Sequence, residues 1–75
     1  MEPYRNLGGD SGVEAYECGA DWIKVRFARG RTYVYDQTTP GPLHVQQMIE
    51  LARAGRGLGT YISRHVRHAY ARSEP

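Results

Sequence analysis

Trp22-Ile23-Lys24-Val25-Arg26-Phe27-Ala28-Arg29-Gly30-Arg31-Thr32-Tyr33-Val34-Tyr35-Asp36 is the stretch that decides the fold. Ile23, Val25 and Phe27 alternate with Lys24 and Arg26, the period-two pattern of a half-buried strand. A second β-rich run follows from Arg31 to Asp36. The turn between the two runs sets the face of Tyr33 and Tyr35. A two-residue type I′ turn at Arg29-Gly30 would force Arg29 to positive φ, which is sterically costly. A three-residue loop, Ala28-Arg29-Gly30, asks for positive φ at Gly30 alone. The second turn is therefore predicted. It pairs Phe27 with Arg31, Val25 with Tyr33 and Ile23 with Tyr35. Both tyrosines then join the core face, and Lys24, Arg26, Thr32 and Val34 lie on the outer face.

Towards the N-terminus, residues 13–18 read as a short first strand. Tyr16 and Cys18 are placed inward, because they bury more apolar area than Val13 and Ala15. Gly19-Ala20-Asp21 is a turn. Residues 1–12 read as a flexible tail, with Gly8-Gly9 and Asp10-Ser11-Gly12 as loop punctuation. Towards the C-terminus, residues 37–41 are a connector, and Pro42 suits the first position of a helix. That helix runs to about Ala54, with Gly55 as its left-handed cap. Val45, Met48, Ile49, Leu51 and Ala52 share one arc, opposite Gln46, Gln47, Glu50 and Arg53. A second helix is predicted from about Leu58 to Tyr70, with Leu58, Tyr61, Ile62, His65, Val66 and Ala69 on its apolar arc. Residues 71–75 read as a frayed end. The predicted fold is α+β: a three-stranded antiparallel β-meander followed by two α-helices packed on one face, in a single domain over 13–70. Its expected core holds Ile23, Val25, Phe27, Tyr33, Tyr35, Met48, Ile49, Ala52, Tyr61, Ile62 and Val66.

A chain of 75 residues folds as one domain and hides only roughly 60% of its unfolded surface. A deep substrate cleft is not expected. No apolar run approaches the ~20 residues of a membrane span, and the polar N-terminus lacks the apolar segment of a secretory signal. Cys18 is the only cysteine, so the core forms without an internal disulfide, which fits a cytoplasmic protein. The net charge is +2 and unevenly spread. Residues 37–75 carry Arg53, Arg56, Arg64, Arg67 and Arg72 against Glu50 and Glu74, and also hold all three histidines. The C-terminal half is thus the expected face for an anionic partner.

Tyr16, the strand Ile23 to Phe27, Tyr33-Val34-Tyr35, the helix opening at Pro42, and Gly59-Thr60-Tyr61-Ile62-Ser63 with Val66 and Tyr70 follow one another in an order and spacing that resembles the KTSC family. That family comprises a domain at the C-terminus of some lysyl-tRNA synthetases and small stand-alone bacterial proteins. The resemblance covers about residues 13–70. It implies the fold and, through its association with a tRNA enzyme, an RNA-binding role. It implies no activity.

Candidate sites follow from charge. Arg64, Arg67 and His68 are expected on one face of the last helix, with Arg56 just before it, where they could clamp phosphates. Cations near the final turn also favour the helix dipole, a structural reason for the same pattern. Lys24 and Arg26, near Trp22, form a second basic surface beside an aromatic. Gly55-Arg56-Gly57-Leu58-Gly59-Thr60 is glycine-rich ahead of a helix, but it lacks the preceding strand of a dinucleotide fingerprint and reads as a cap. His44, His65, His68 and Cys18 show no metal-ligand spacing. No nucleophile, base or carboxylate pair is visible, so neither an enzyme, a cofactor nor a small-molecule substrate is expected. The expected function is a non-catalytic binding module with RNA (tRNA-like) as leading partner. The alternative is a protein partner or a homodimer met at an open sheet edge.

Overall fold

The computed structural model describes residues 1–9 and 12–75. Asp10 and Ser11, assigned with Gly12 to loop punctuation, lie outside the described residues. The fold is α+β, with an antiparallel sheet of five strands in sequence order and two helices. The strands are β1 (Glu2–Pro3), β2 (Val13–Cys18), β3 (Ile23–Phe27), β4 (Thr32–Tyr35) and β5 (Arg72–Glu74). The helices are α1 (Pro42–Ala54) and α2 (Leu58–His65).

The central hairpin takes the predicted register. Val25 opposes Tyr33 and Ile23 opposes Tyr35. The Phe27 amide donates to the Arg31 carbonyl at 2.8 Å, and the Gly30 amide donates to the Phe27 carbonyl at 2.8 Å. Gly30 sits at φ 91°, the left-handed position that closes a three-residue loop. Ile23, Val25 and Tyr35 are buried.

The strand count is five rather than three, and both added strands come from the chain ends. Residues 1–12 were expected as a tail, yet β1 pairs with β2, Glu2 opposite Tyr16 and Pro3 opposite Ala15. Tyr4 continues this pairing through its amide to the Glu14 carbonyl at 3.0 Å and is buried in the core. Leu7 then donates to the Gly55 carbonyl at 2.7 Å. At the other end β5 pairs with β4, Val34 opposite Arg72 and Thr32 opposite Glu74. The physical reason is the same at both ends. β2 and β4 would otherwise leave unpaired amides and carbonyls along their outer edges, and short terminal segments satisfy them.

The first strand turns both Val13 and Tyr16 inward. The register of β2 against β3 shifts between Val13 and Ala15, so Val13 opposes Phe27 and Tyr16 opposes Val25. A β-bulge at Glu14 inserts one residue and moves side chains three apart onto one face. Tyr16 is buried and Cys18 half-buried on that face. On the outer face Val34 and Thr32 are also buried. Each lies between long charged neighbours in register, Lys24 and Arg72 beside Val34, Arg26 and Glu74 beside Thr32. The aliphatic stems of such residues cover apolar surface while their heads stay wet.

The connector is tied by Asp36, whose Oδ1 accepts from the Thr38 and Thr39 amides at 3.0 Å each. The peptide bond before Pro40 is cis. Pro42 then opens α1. Val45, Met48, Ile49 and Ala52 are the buried face of α1, spaced as the predicted arc requires. Gly55 at φ 79° caps it, its amide reaching the Leu51 and Ala52 carbonyls. In α2, Leu58 and Ile62 are buried, and Val66 follows as a buried cap residue. These side chains close over Val13, Tyr16, Ile23, Val25 and Tyr35 to make one core, which Tyr4 joins. The second helix is shorter than the predicted span to Tyr70. Val66 leaves helical geometry at φ −134°, and the Ala71 amide bonds the Val34 carbonyl at 2.7 Å. The chain leaves the helix early because it must reach the sheet edge and form β5.

Candidate nucleic-acid interface

The helices cover only part of the sheet's core face. At the β3–β4 turn, Phe27 and Tyr33 point to that face but remain half-buried. Tyr70, carried there by the segment after α2, packs on Tyr33 with ring centroids 4.6 Å apart. Phe27 meets Tyr33 edge-on at 5.6 Å, and Tyr70 meets Tyr35 edge-on at 6.5 Å. Edge-on and tilted pairs at these separations are the favoured aromatic geometries. Burial pushes the Tyr35 phenol well above its ordinary value, with Tyr33 and Tyr70 adding to the effect. Tyr35 is thus a neutral floor residue.

This aromatic strip lines a surface groove whose other lining residues include Arg29, Arg31, Arg67 and His68. A second groove adjoins it and shares Gly12, Phe27 and Ser63. It adds Arg64 with Gly57, Gly59 and Thr60 at the start of α2. Arg29, Arg31, Arg64, Arg67 and His68 are exposed. Among the described residues none of them forms an ion pair.

The structure therefore rearranges the residues expected from sequence. Arg64 lies on α2, but Arg67 and His68 do not share a helical face with it, because α2 ends at His65. They occupy the following turn and face the aromatic groove instead. Arg56 is exposed in the α1–α2 connection and lines neither groove. Arg29 and Arg31 join the cluster through the hairpin, a contribution the linear sequence does not display. Their only signal there is their place in the turn whose register brings the tyrosines inward.

Lys24 and Arg26 lie apart, on the opposite face of the sheet, and are ion-paired. Arg26 places Nη2 2.8 Å and Nε 2.9 Å from Glu14 Oε1. Lys24 Nζ is 3.6 Å from Glu74 Oε1, and Arg72 Nε is 3.4 Å from Glu74 Oε2. Each cation on that face thus has a carboxylate beside it. A surface so balanced offers little to a polyanion, and the aromatic pair Tyr33 and Tyr35 is not on it. Trp22 lines a shallow polar depression there with Glu17, Asp21 and Asp36, all acidic.

Two of the three histidines come together at the α1–α2 contact. His44 Nδ1 lies 2.6 Å from the Tyr61 hydroxyl, and the Tyr61 and His65 rings are 4.6 Å apart. His65, expected on the apolar arc of the second helix, is exposed. The arrangement links the start of α1 to α2. Among the described residues no three of His, Cys, Asp or Glu gather as a metal site, and no helix is long and apolar enough to cross a membrane.

Compared with protein-family models, with curated proteins and with solved structures, the chain has no match.

Proposed function

We propose that this chain is a non-catalytic, KTSC-like binding module whose partner is RNA. The observation that carries the proposal is the separation of charge. Lys24, Arg26 and Arg72 are held by Glu14 and Glu74 on one face of the sheet. Arg29, Arg31, Arg64 and Arg67 are exposed around the two adjoining grooves on the other. Phosphate contacts supply affinity by releasing counterions, and a carboxylate beside a cation cancels part of the potential that attracts a polyanion. The proposed contact is therefore on the α2 and β3–β4 turn side. The lone Cys18 and the absence of a membrane-length helix among the described residues suit a cytoplasmic setting.

The rival reading, a protein partner or second copy at a sheet edge, has less to rest on. The edges it needs, on β2 and β4, carry β1 and β5. The new outer strands are two and three residues long and hold Pro3, Arg72 and Glu74. Short, charged and proline-bearing edges resist strand addition.

The test is an NMR titration of labelled protein with bulk tRNA at low salt and again near about 200 mM salt, where phosphate contacts weaken steeply. Shifts should gather on Arg29, Arg31, Arg64 and Arg67 and fade with salt. Absence of shifts at both salt concentrations would end the RNA reading.

A further inference from the structure

The grooves differ in one respect that phosphate binding does not require. One of them has a floor of aromatic carbon, Phe27, Tyr33 and Tyr70, each half-buried, with Tyr33 in contact with both of the others. Arg31 and Arg67 stand at its margin. In a duplex the bases are paired and stacked inside, so a duplex would present only sugars and phosphates to these rings. An unpaired base has a free π-face that can lie against an aromatic floor, and its two flanking phosphates are anions. Of the two forms of nucleic acid, the one with free bases matches both the charge and the apolar surface of this groove.

Resting on the RNA reading above, we infer that this groove takes unpaired bases: the module selects single-stranded over double-stranded nucleic acid. The base lies against the Phe27–Tyr33–Tyr70 strip, and Arg31 and Arg67 take the adjacent phosphates. The contact is sequence-tolerant, because every base has a π-face and the strip offers stacking rather than a pattern of donors and acceptors.

The experiment compares binding of a labelled single strand of about eight nucleotides with the same strand annealed to its complement, by fluorescence anisotropy at low salt. The single strand should bind at least about fivefold more tightly. Base protons of the bound strand should move upfield in NMR spectra through the ring currents of the strip. Phe27→Leu and Tyr70→Leu keep an apolar side chain and remove the π-face. Each should lower single-strand affinity by about 5- to 150-fold per stacked base lost and lower duplex affinity by much less, narrowing the preference for the single strand, with thermal melting as the check on folding. Equal affinity for strand and duplex, with no upfield base shifts, would overturn the inference while leaving the RNA reading standing. Binding of neither would overturn both. The wild-type comparison decides the matter even if a variant fails to fold.

Discussion

Tyr4 shows how much one side chain near a chain end can do. Its hydroxyl accepts the Leu58 amide at 3.2 Å, at the first residue of α2, where helical amides have no partner of their own. Leu58 is fully buried, so water cannot replace the hydroxyl. Tyr4→Phe should therefore cost about 1–3 kcal/mol, the penalty of an orphaned buried donor, read as a lower midpoint in urea unfolding. Tyr61→Phe removes the bond to His44 at a half-buried site and should cost less, about 0.5–1.5 kcal/mol. The tyrosines also set a pH dependence. Burial raises the phenols of Tyr35 and Tyr16 above their ordinary 10.0. Above that pH the unfolded chain loses these protons before the folded one does. Stability is therefore fully present below pH 10 and declines as pH rises beyond it, by at most about 1.4 kcal/mol per pH unit for Tyr35. Denaturation midpoints measured from neutral pH to pH 11 should stay level and then fall, and Tyr35→Phe should shallow the fall.

At the scale of elements, two glycines at positive φ separate conformational strain from crowding. Gly30 closes the β3–β4 hairpin at φ 91°, and a methyl group there would meet nothing within 4 Å. Gly55 caps α1 at φ 79°, and a methyl group there would come within 2.9 Å of Arg5 Cβ. Gly30→Ala should cost about 1–2 kcal/mol, the left-handed penalty alone. Gly55→Ala should cost about 1–3 kcal/mol more, because the Arg5 segment, tied to α1 by a hydrogen bond from its guanidinium to the Arg53 carbonyl, would have to shift. Chemical denaturation of the two variants checks the order. These elements were readable from sequence for local reasons. Gly30, Pro42 and Gly55 state their conformations in their own chemistry, and the period-two and helical patterns place Ile23, Val25, Met48 and Ile49. What sequence withheld depends on distant partners. Glu2–Pro3 and Arg72–Glu74 become strands only because β2 and β4 offer edges. The bulge that turns Val13 inward is set by pairing with Phe27. The early end of α2 follows from Ala71 bonding Val34.

For the whole molecule, what matters is where its charges meet. Sequence reading found Arg64, Arg67 and His68 from the basic C-terminal half. It missed Arg29 and Arg31, which sit far away in the chain and reach the same groove only through the hairpin. It also counted Lys24 and Arg26 as free, since their partners are a bulge residue, Glu14, and a residue of the supposed frayed end, Glu74. A salt titration distinguishes the two faces. For single strands the slope of log K against log salt is about −0.7 per neutralised phosphate. Four groove arginines, Arg29, Arg31, Arg64 and Arg67, should give about −2.8. Arg31→Ala with Arg67→Ala should bring this to about −1.4 and weaken binding at low salt. Glu14→Gln with Glu74→Gln frees the sheet-face cations without touching the groove. Exposed pairs of this kind are worth about 0–1 kcal/mol each, so the fold should persist. If the groove is the interface, that variant keeps the wild-type slope although its net charge rises by two. A slope that steepens in the glutamine variant and stays unchanged in the alanine variant would move the interface to the other face of the sheet. The two responses are opposite in sign, so one pair of titrations assigns the face.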